Sequence, residues 1–407
     1  MRFSILVVVA ACLAASCGGT SSTDASVPDA DPADAGAVES AIALVDFHTH
    51  CFEPEACDTA GIATETGGDV LVLTAGLQHY AIAASLGDPI PDDIRGTMRS
   101  NEIHAESAAR SDRVELLASL DCLSDTPGSD PNWVAACAED ADRWIAAGAV
   151  GFKDHAGKAF DGSGLDVALW AGAYNRYAGF CEVDADSETP NADCQRAAGF
   201  RFPLRVPAWR EMVRQVVEVR GVPLLTHTTP WSGSEDMCTS TDGTLARCYT
   251  VAVAALLDFA AWAERELSPE ARRRIVLAHL AFLQEDRESL LRVLDAGFTI
   301  DLAQTDVASR AGCGLREVAG LYPTQVVLGT DINVGSGCRA NSWEAWRYAL
   351  EGPAGVERAF ENTCRGTMRP VGAALGDPGL TECNMPIPEG TGERVRWRNA
   401  FELLGRL

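Results

Sequence analysis

A (β/α)8 barrel of the TIM type is the α/β architecture the sequence predicts, and three observations predict it. Apolar, β-branched runs recur at 41–48, 69–75, 114–120, 149–153, 222–227, 274–279, 298–303 and 325–330. Helical patterns at 94–111, 131–148, 206–220, 250–267 and 285–296 lie between them, and strands that alternate with helices pair in parallel. Finally, polar side chains suited to a metal stand at the ends of five of the runs: ALVDFHTH, AVGFKDH, VPLLTHT, RIVLAHL and VVLGTD. An open doubly wound sheet would instead place a Gly-rich phosphate turn after an early strand, and no G-x-G-x-x-G or G-x-x-x-x-G-K-[ST] pattern occurs.

The chain opens on a targeting segment. Met1 and Arg2 precede an apolar stretch, Ile5 to Ala15, that is too short to span a bilayer. It runs into Ala14-Ala15-Ser16-Cys17-Gly18-Gly19, which resembles the lipobox of bacterial lipoproteins, with Cys17 as the lipidated residue. Val9-Ala10-Ala11-Cys12 is a second candidate, and an ordinary secretory signal is the alternative. Residues 18–38 are rich in Ser, Thr, Asp, Ala and Pro and read as a flexible tether. The expected organisation is therefore a signal over 1–17, a linker over 18–38 and one barrel domain over 39–407, working outside the cytoplasm.

Among the 407 residues, 47% are hydrophobic and 22% charged, enough apolar material for a sizeable core. The 33 basic and 58 acidic residues leave a formal charge of -25. Such a surface repels phosphate backbones and anionic lipids, so nucleic acid is excluded as a partner and the membrane is met only through the lipid anchor. Removing Cys12 and Cys17 from the 14 cysteines leaves 12. They fall as sequence neighbours: 51 and 57, 122 and 137, 181 and 194, 238 and 248, 313 and 338, 364 and 383. Export favours disulfides, and bridges between neighbours would pin loops. No Cys-x-x-Cys pair occurs, so zinc-finger sites are excluded. Insertions around 178–200 and 230–249 follow strands four and five, which places them on the face where such barrels build active sites.

His48 and His50 are two apart on a strand and point to one side of it, and two neutral imidazoles held that close suit a divalent metal. His227 and His279 directly follow apolar runs. Asp331 ends Val326-Val327-Leu328-Gly329-Thr330, where an unpaired carboxylate would be costly and a metal or a proton would answer its charge. Lys153 has two readings. Buried, it can be carbamylated to a bridging carboxylate; otherwise it pairs with Asp154 or a substrate carboxylate. His155, two residues on, faces the same way and is a candidate for substrate contact. His79 lies beyond the second run, and His104 reads as a helix-surface residue.

Together these motifs resemble the amidohydrolase superfamily of metal-dependent hydrolases, in its amidohydrolase 2 branch, over residues 41–407. The resemblance rests on His-x-His on strand one, Gly-Phe-Lys on strand four, His on strands five and six, Gly-Thr-Asp on strand eight, and the closing Arg398-Asn399-Ala400-Phe401-Glu402-Leu403-Leu404. It implies one or two divalent ions, with zinc expected. His48, His50 and Asp331 would hold one; His227 and His279 would hold a second if Lys153 is carboxylated and bridges. In single-metal relatives His227 joins the first site and His279 orients water or substrate. Asp331 would move the proton while water cleaves an amide, ester, lactone or related bond of a small molecule. Decarboxylation on the same metal is the alternative reaction, and an inactive surface binding protein the alternative class. Asp154 and the Cys-bearing insertions depart from the branch, so no substrate carries over. No G-x-S-x-G elbow is present, so nothing supports a serine hydrolase.

Overall fold

The computed structural model describes residues 45–50, 70–74, 100–110, 114–120, 122, 131–154, 203–228, 237–239, 245–283, 286–303, 317–333 and 390–407. The signal, the tether, the 178–200 insertion, His79 and His155 lie outside the described residues.

The apolar runs become strands: β1 Val45–His50, β2 Val70–Thr74, β3 Val114–Ser119, β4 Gly151–Asp154, β5 Leu224–Thr226, β8 Ile275–Leu277 and β9 Thr299–Asp301. The last predicted strand is split into β10 Val326–Val327 and β11 Ile332–Asn333. The helical patterns become α1 Ser100–Arg110, α2 Trp133–Ala146, α3 Pro207–Arg214 with a π-turn over Gln215–Val219, α4 Cys248–Glu266 and α6 Arg287–Asp295. A short α5, Pro269–Arg273, precedes β8. Pro207 and Pro269 occupy first turns, where the missing N–H costs nothing. Ser268 and Asp286 cap α5 and α6 by accepting from the backbone N–H of Ala271 and Ser289.

All nine strands of the main sheet pair in parallel, in the order β10-β9-β8-β5-β4-β3-β2-β1-β11. β10 and β11 belong to one run of chain, 326–333. On one side, the Leu302 N–H donates to the Val327 carbonyl at 3.2 Å. On the other, the Phe47 N–H donates to the Leu328 carbonyl at 2.9 Å, and Thr49 and His50 pair with Ile332 and Asn333.

Alternation along the strands divides the core in two. Leu116, Ala118, Phe152, Leu224, Ile275, Leu277 and Ile300 face the helices and pack with Trp209, Met212, Phe259 and Val293. Leu117, Leu225, Val276 and Val327 face the opposite way and pack with Trp397, Ala400 and Phe401. These last belong to the C-terminal helical segment, α7 Thr391–Glu393, a π-turn over Arg394–Arg398, and α8 Asn399–Leu403. Asn399 explains the polar residue in that otherwise apolar helix: its Nδ2 donates to the carbonyls of Pro323 and Val326, both at 2.7 Å.

Two features were not foreseen. The 230–249 insertion contains an antiparallel hairpin, β6 Met237–Thr239 with β7 Leu245–Arg247. Gly151 is required by close approach: a Cβ there would stand 2.6 Å from the Pro223 carbonyl. Of the sequential cysteine pairs, Cys122–Cys137 is bonded and ties the end of β3 to α2. Eight of the other cysteines, and the side chains of Cys238 and Cys248, lie outside the described residues.

The C-terminal helix is also held by charge. Glu402 accepts from Arg273 and, at 3.2 Å, from Arg394. Burial pushes its carboxyl up, but the hydrogen bond and charge of Arg273, with those of Arg394, outweigh burial and hold it below the usual range. A depressed folded pKa stabilises the fold above the unfolded value and loses that contribution as pH falls through the folded one. Glu402→Gln is therefore expected to cost about 1 kcal/mol at neutral pH. In urea denaturation the gap between variant and wild type should close on acidification, and a gap that widens in acid contradicts the assignment.

Candidate metal centre

The side of the sheet opposite the helices carries a cluster of buried polar residues. On β4, Lys153 follows Gly151 in phase with Leu117 and Leu225, and it is fully buried. Asp154 takes the opposite phase and accepts from the Trp209 indole N–H at 2.9 Å, tying β4 to α3. Just past the end of β5, His227 follows Leu225 by two residues and is buried.

β1 requires an irregularity. Val45 and Phe47 pack on the same side of the sheet as Leu117 and Val276, yet His48, one residue on, belongs to the polar cluster there. The register explains this. Asp46 pairs with Leu71 and Thr49 with Leu73, so β1 carries one extra residue between them. A β-bulge re-aims the side chains beyond it, and here it brings His48 and His50 onto the side that Phe47 already occupies. The neighbouring run is irregular at the same level: the N–H groups of Thr330 and Asp331 both donate to the His48 carbonyl, at 3.0 and 2.6 Å. Asp46 fixes that turn by accepting from the Thr330 N–H at 3.0 Å and hydroxyl at 2.7 Å. Gly329 is needed there, because a Cβ would lie 2.8 Å from the His48 Cβ.

Two cluster residues depend on a left-handed backbone. Asp331 has φ 53°, and His279, Leu280 and Ala281 have φ 55°, 53° and 54°. These are the four non-glycine residues with positive φ among those described. The conformation costs roughly 1–2 kcal/mol per residue, and such strain collects at functional sites. Its effect is geometric: Ala278 shares the phase of Val276, and the left-handed turn swings His279 back among the polar residues instead of onto the helix side.

The hydrogen bonds settle where the ring protons sit. His279 Nδ1 lies 3.0 Å from the Ala303 carbonyl, which only accepts, so Nδ1 carries hydrogen. His48 Nδ1 lies 2.8 Å from Asp301 Oδ2 and likewise donates. Their Nε2 atoms therefore face the cluster. His48 Nε2 is 3.1 Å from Lys153 Nζ and 3.1 Å from Asp331 Oδ1. His50 Nε2 is 2.7 Å from the same oxygen. His279 Nε2 is 2.7 Å from His227 Nε2 and 3.9 Å from Asp331 Oδ2.

Donor atoms of His48, His50 and Asp331 lie within 4.8 Å of one another, a set able to hold a metal ion; His48, His279 and Asp301 form a second set by the same measure. Imidazole and carboxylate are ligands for zinc and similar divalent ions. Burial drives the His279 pKa down to about 3 and that of His50 below its usual value, so both rings are neutral and able to ligate. Burial and Lys153 push His48 down too, but the carboxylates of Asp331 and Asp301 outweigh them and raise it. Burial pushes Asp331 up, yet the imidazoles of His48, His279 and His50 that surround it hold it well below the carboxylate range. It is ionised throughout the neutral range.

The sequence-predicted residues His48, His50, Lys153, His227, His279 and Asp331 thus lie in one linked cluster. His155 and Cys17 are outside the described residues. Asp301 was missed, although a carboxylate in Phe298-Thr299-Ile300-Asp301 poses the same burial problem that singled out Asp331.

No protein-family model matches the chain, and no curated protein matches its sequence. Among solved structures, the chain is similar to YjjV, a TatD homologue from Escherichia coli K12, with 14% identity and a TM-score of 0.39, covering 88% of this chain and 97% of that one. It is also similar to N-isopropylammelide isopropylaminohydrolase from Burkholderia multivorans ATCC 17616, with 13% identity and a TM-score of 0.38, covering 89% and 74%. Likenesses at this level assign no activity to this chain.

An ion that binds the folded chain alone raises its melting temperature with concentration. Zinc is expected to produce such a rise and a chelator to reverse it. Gly329→Ala, which crowds His48, is expected to weaken zinc binding about tenfold. Equal zinc-induced shifts in the two proteins would contradict the placement of His48.

Proposed function

We propose that this chain is a metal-dependent hydrolase of the amidohydrolase superfamily, with its sheet closed as a (β/α)8 barrel and its site at the open end. Closure is supported by the hydrogen bonds of residues 326–333 to β9 on one side and β1 on the other. The observation that carries the function is the aim of the donor atoms. Acceptors on Nδ1 of His48 and of His279 leave Nε2 of His48 facing Lys153 and Asp331, and Nε2 of His279 facing His227 with Asp331 3.9 Å away.

The residues present fit a divalent ion. His48, His50 and Asp331 would hold it, with Lys153, His227 and His279 beside them; whether Lys153 is carboxylated sets one ion or two. Zinc is the proposed ion. When bound, it supplies a Lewis acid that acidifies water and polarises the scissile oxygen. The chain does the rest. Asp331, ionised and the most exposed member of the pair it makes with His48, accepts the proton that water loses as its oxygen bonds to the carbonyl carbon. The carbon–nitrogen or carbon–oxygen bond then breaks, and Asp331 returns the proton to the leaving group. His279, neutral, offers Nε2 to orient water or substrate. The substrate class is a small molecule with an amide, ester or lactone bond. The chain acts outside the cytoplasm, held by a lipid on Cys17 or released after signal cleavage.

The test is hydrolysis of a panel of chromogenic amides, esters and lactones by zinc-loaded protein. Asp331→Asn is expected to lower kcat by about 10²–10⁴-fold while the fold persists. A folded variant within a few-fold of wild type would overturn the proposal, as would carbon dioxide release as the main reaction on carboxylated analogues.

A further inference from the structure

Asp301 lies at the end of β9, fully buried, and three donors engage its two oxygens. Oδ2 is 2.8 Å from His48 Nδ1. Oδ1 accepts from the backbone N–H of His279 at 2.7 Å and of Ala303 at 3.0 Å. One of those N–H groups opens the left-handed turn that swings His279 into the cluster. The Ala303 carbonyl in turn takes the His279 Nδ1–H at 3.0 Å. A single carboxylate therefore fixes the tautomer of one ring directly, and both the backbone and the acceptor that set the other.

We infer that Asp301 is a positioning residue for the metal centre: it keeps the proton of His48 on Nδ1, so that Nε2 is left for the ion, and it pins the turn that presents His279. The inference rests on the reading in which His48 ligates a metal. Asp301 is close enough to His48 and His279 to be counted with them as a ligand set. Its oxygens are instead committed to holding the rings from behind, the relation that orients imidazole ligands and raises their basicity. The assignment differs from a purely structural one in a definite way. A structural carboxylate supports the fold whatever nitrogen bears the proton, whereas a positioning carboxylate acts through the tautomer.

Asp301→Asn separates the two. With its amide oxygen toward the N–H groups of His279 and Ala303, Asn keeps both backbone hydrogen bonds. It then turns an N–H donor toward His48 Nδ1, which must become the acceptor and move its proton to Nε2. Zinc affinity measured by competition with a chromogenic chelator is expected to fall about 10–100-fold. Long-range 1H–15N spectra of the metal-free protein at alkaline pH, where the rings are neutral, are expected to show His48 as the Nδ1–H tautomer in wild type and the Nε2–H tautomer in the variant. A folded variant that binds zinc within twofold of wild type overturns the inference. So does a wild-type His48 that carries its proton on Nε2, and this reading stands even if the variant does not fold. Absence of zinc binding by wild type overturns the hydrolase reading instead, while the metal-free spectra still decide the hold of Asp301 on the ring.

Discussion

The contact on which the site depends is the one between Asp301 and His48, a carboxylate and an imidazole both removed from water, 2.8 Å apart. A buried charge without partners costs several kcal/mol, and this one is answered by a ring N–H and two backbone N–H groups. Burial alone would push its carboxyl up; the charge and hydrogen bond of His48, with His279 and Lys153 nearby, bring it below the usual range instead. The same set of bonds that makes the charge tolerable leaves His48 Nε2 facing Lys153 and Asp331. Solvation and ligand geometry are thus met by one arrangement.

Regular strands could not have assembled this cluster. Period-two alternation would place His48 opposite Phe47 and His279 opposite Ala278. The bulge in β1 and the left-handed residues at 279–281 reverse both outcomes, and left-handed Asp331 stands between the two halves of its strand. Each departure is fastened by neighbours: Asp46 on Thr330, Asp301 on the His279 N–H, and the His48 carbonyl shared by two N–H groups. The helix-facing core of Phe152, Leu224, Ile275 and their partners provides the rigid support against which this strain is held.

Much of this was legible in the sequence, for physical reasons. Apolar β-branched runs report strands because a sheet covered on both faces must be apolar throughout, and β3, β5, β8 and β9 fall within the expected segments. His227, Lys153 and Asp331 were legible because a polar group ending such a run must be answered. The bulge at Phe47 and His48 was not legible, since no glycine or proline marks it and the register depends on Leu71 and Leu73 of the next strand. Nor was the left-handed turn, since Leu280 and Ala281 have no preference for that backbone and adopt it because Asp301 and Ala303 hold His279. Asp301 itself was hidden by position, inside a strand end rather than beyond it. The β6–β7 hairpin escaped because its strands are three residues each, too short for alternation to register.

The most direct test is anomalous diffraction at the zinc edge from crystals of the zinc-loaded protein. The account predicts a peak within bonding distance of Nε2 of His48 and His50 and of an Asp331 oxygen, with Asp301 still hydrogen-bonded to Nδ1 of His48. A peak bound through His48 Nδ1 in place of Asp301, or no peak at this cluster in crystals soaked to saturation, would contradict it.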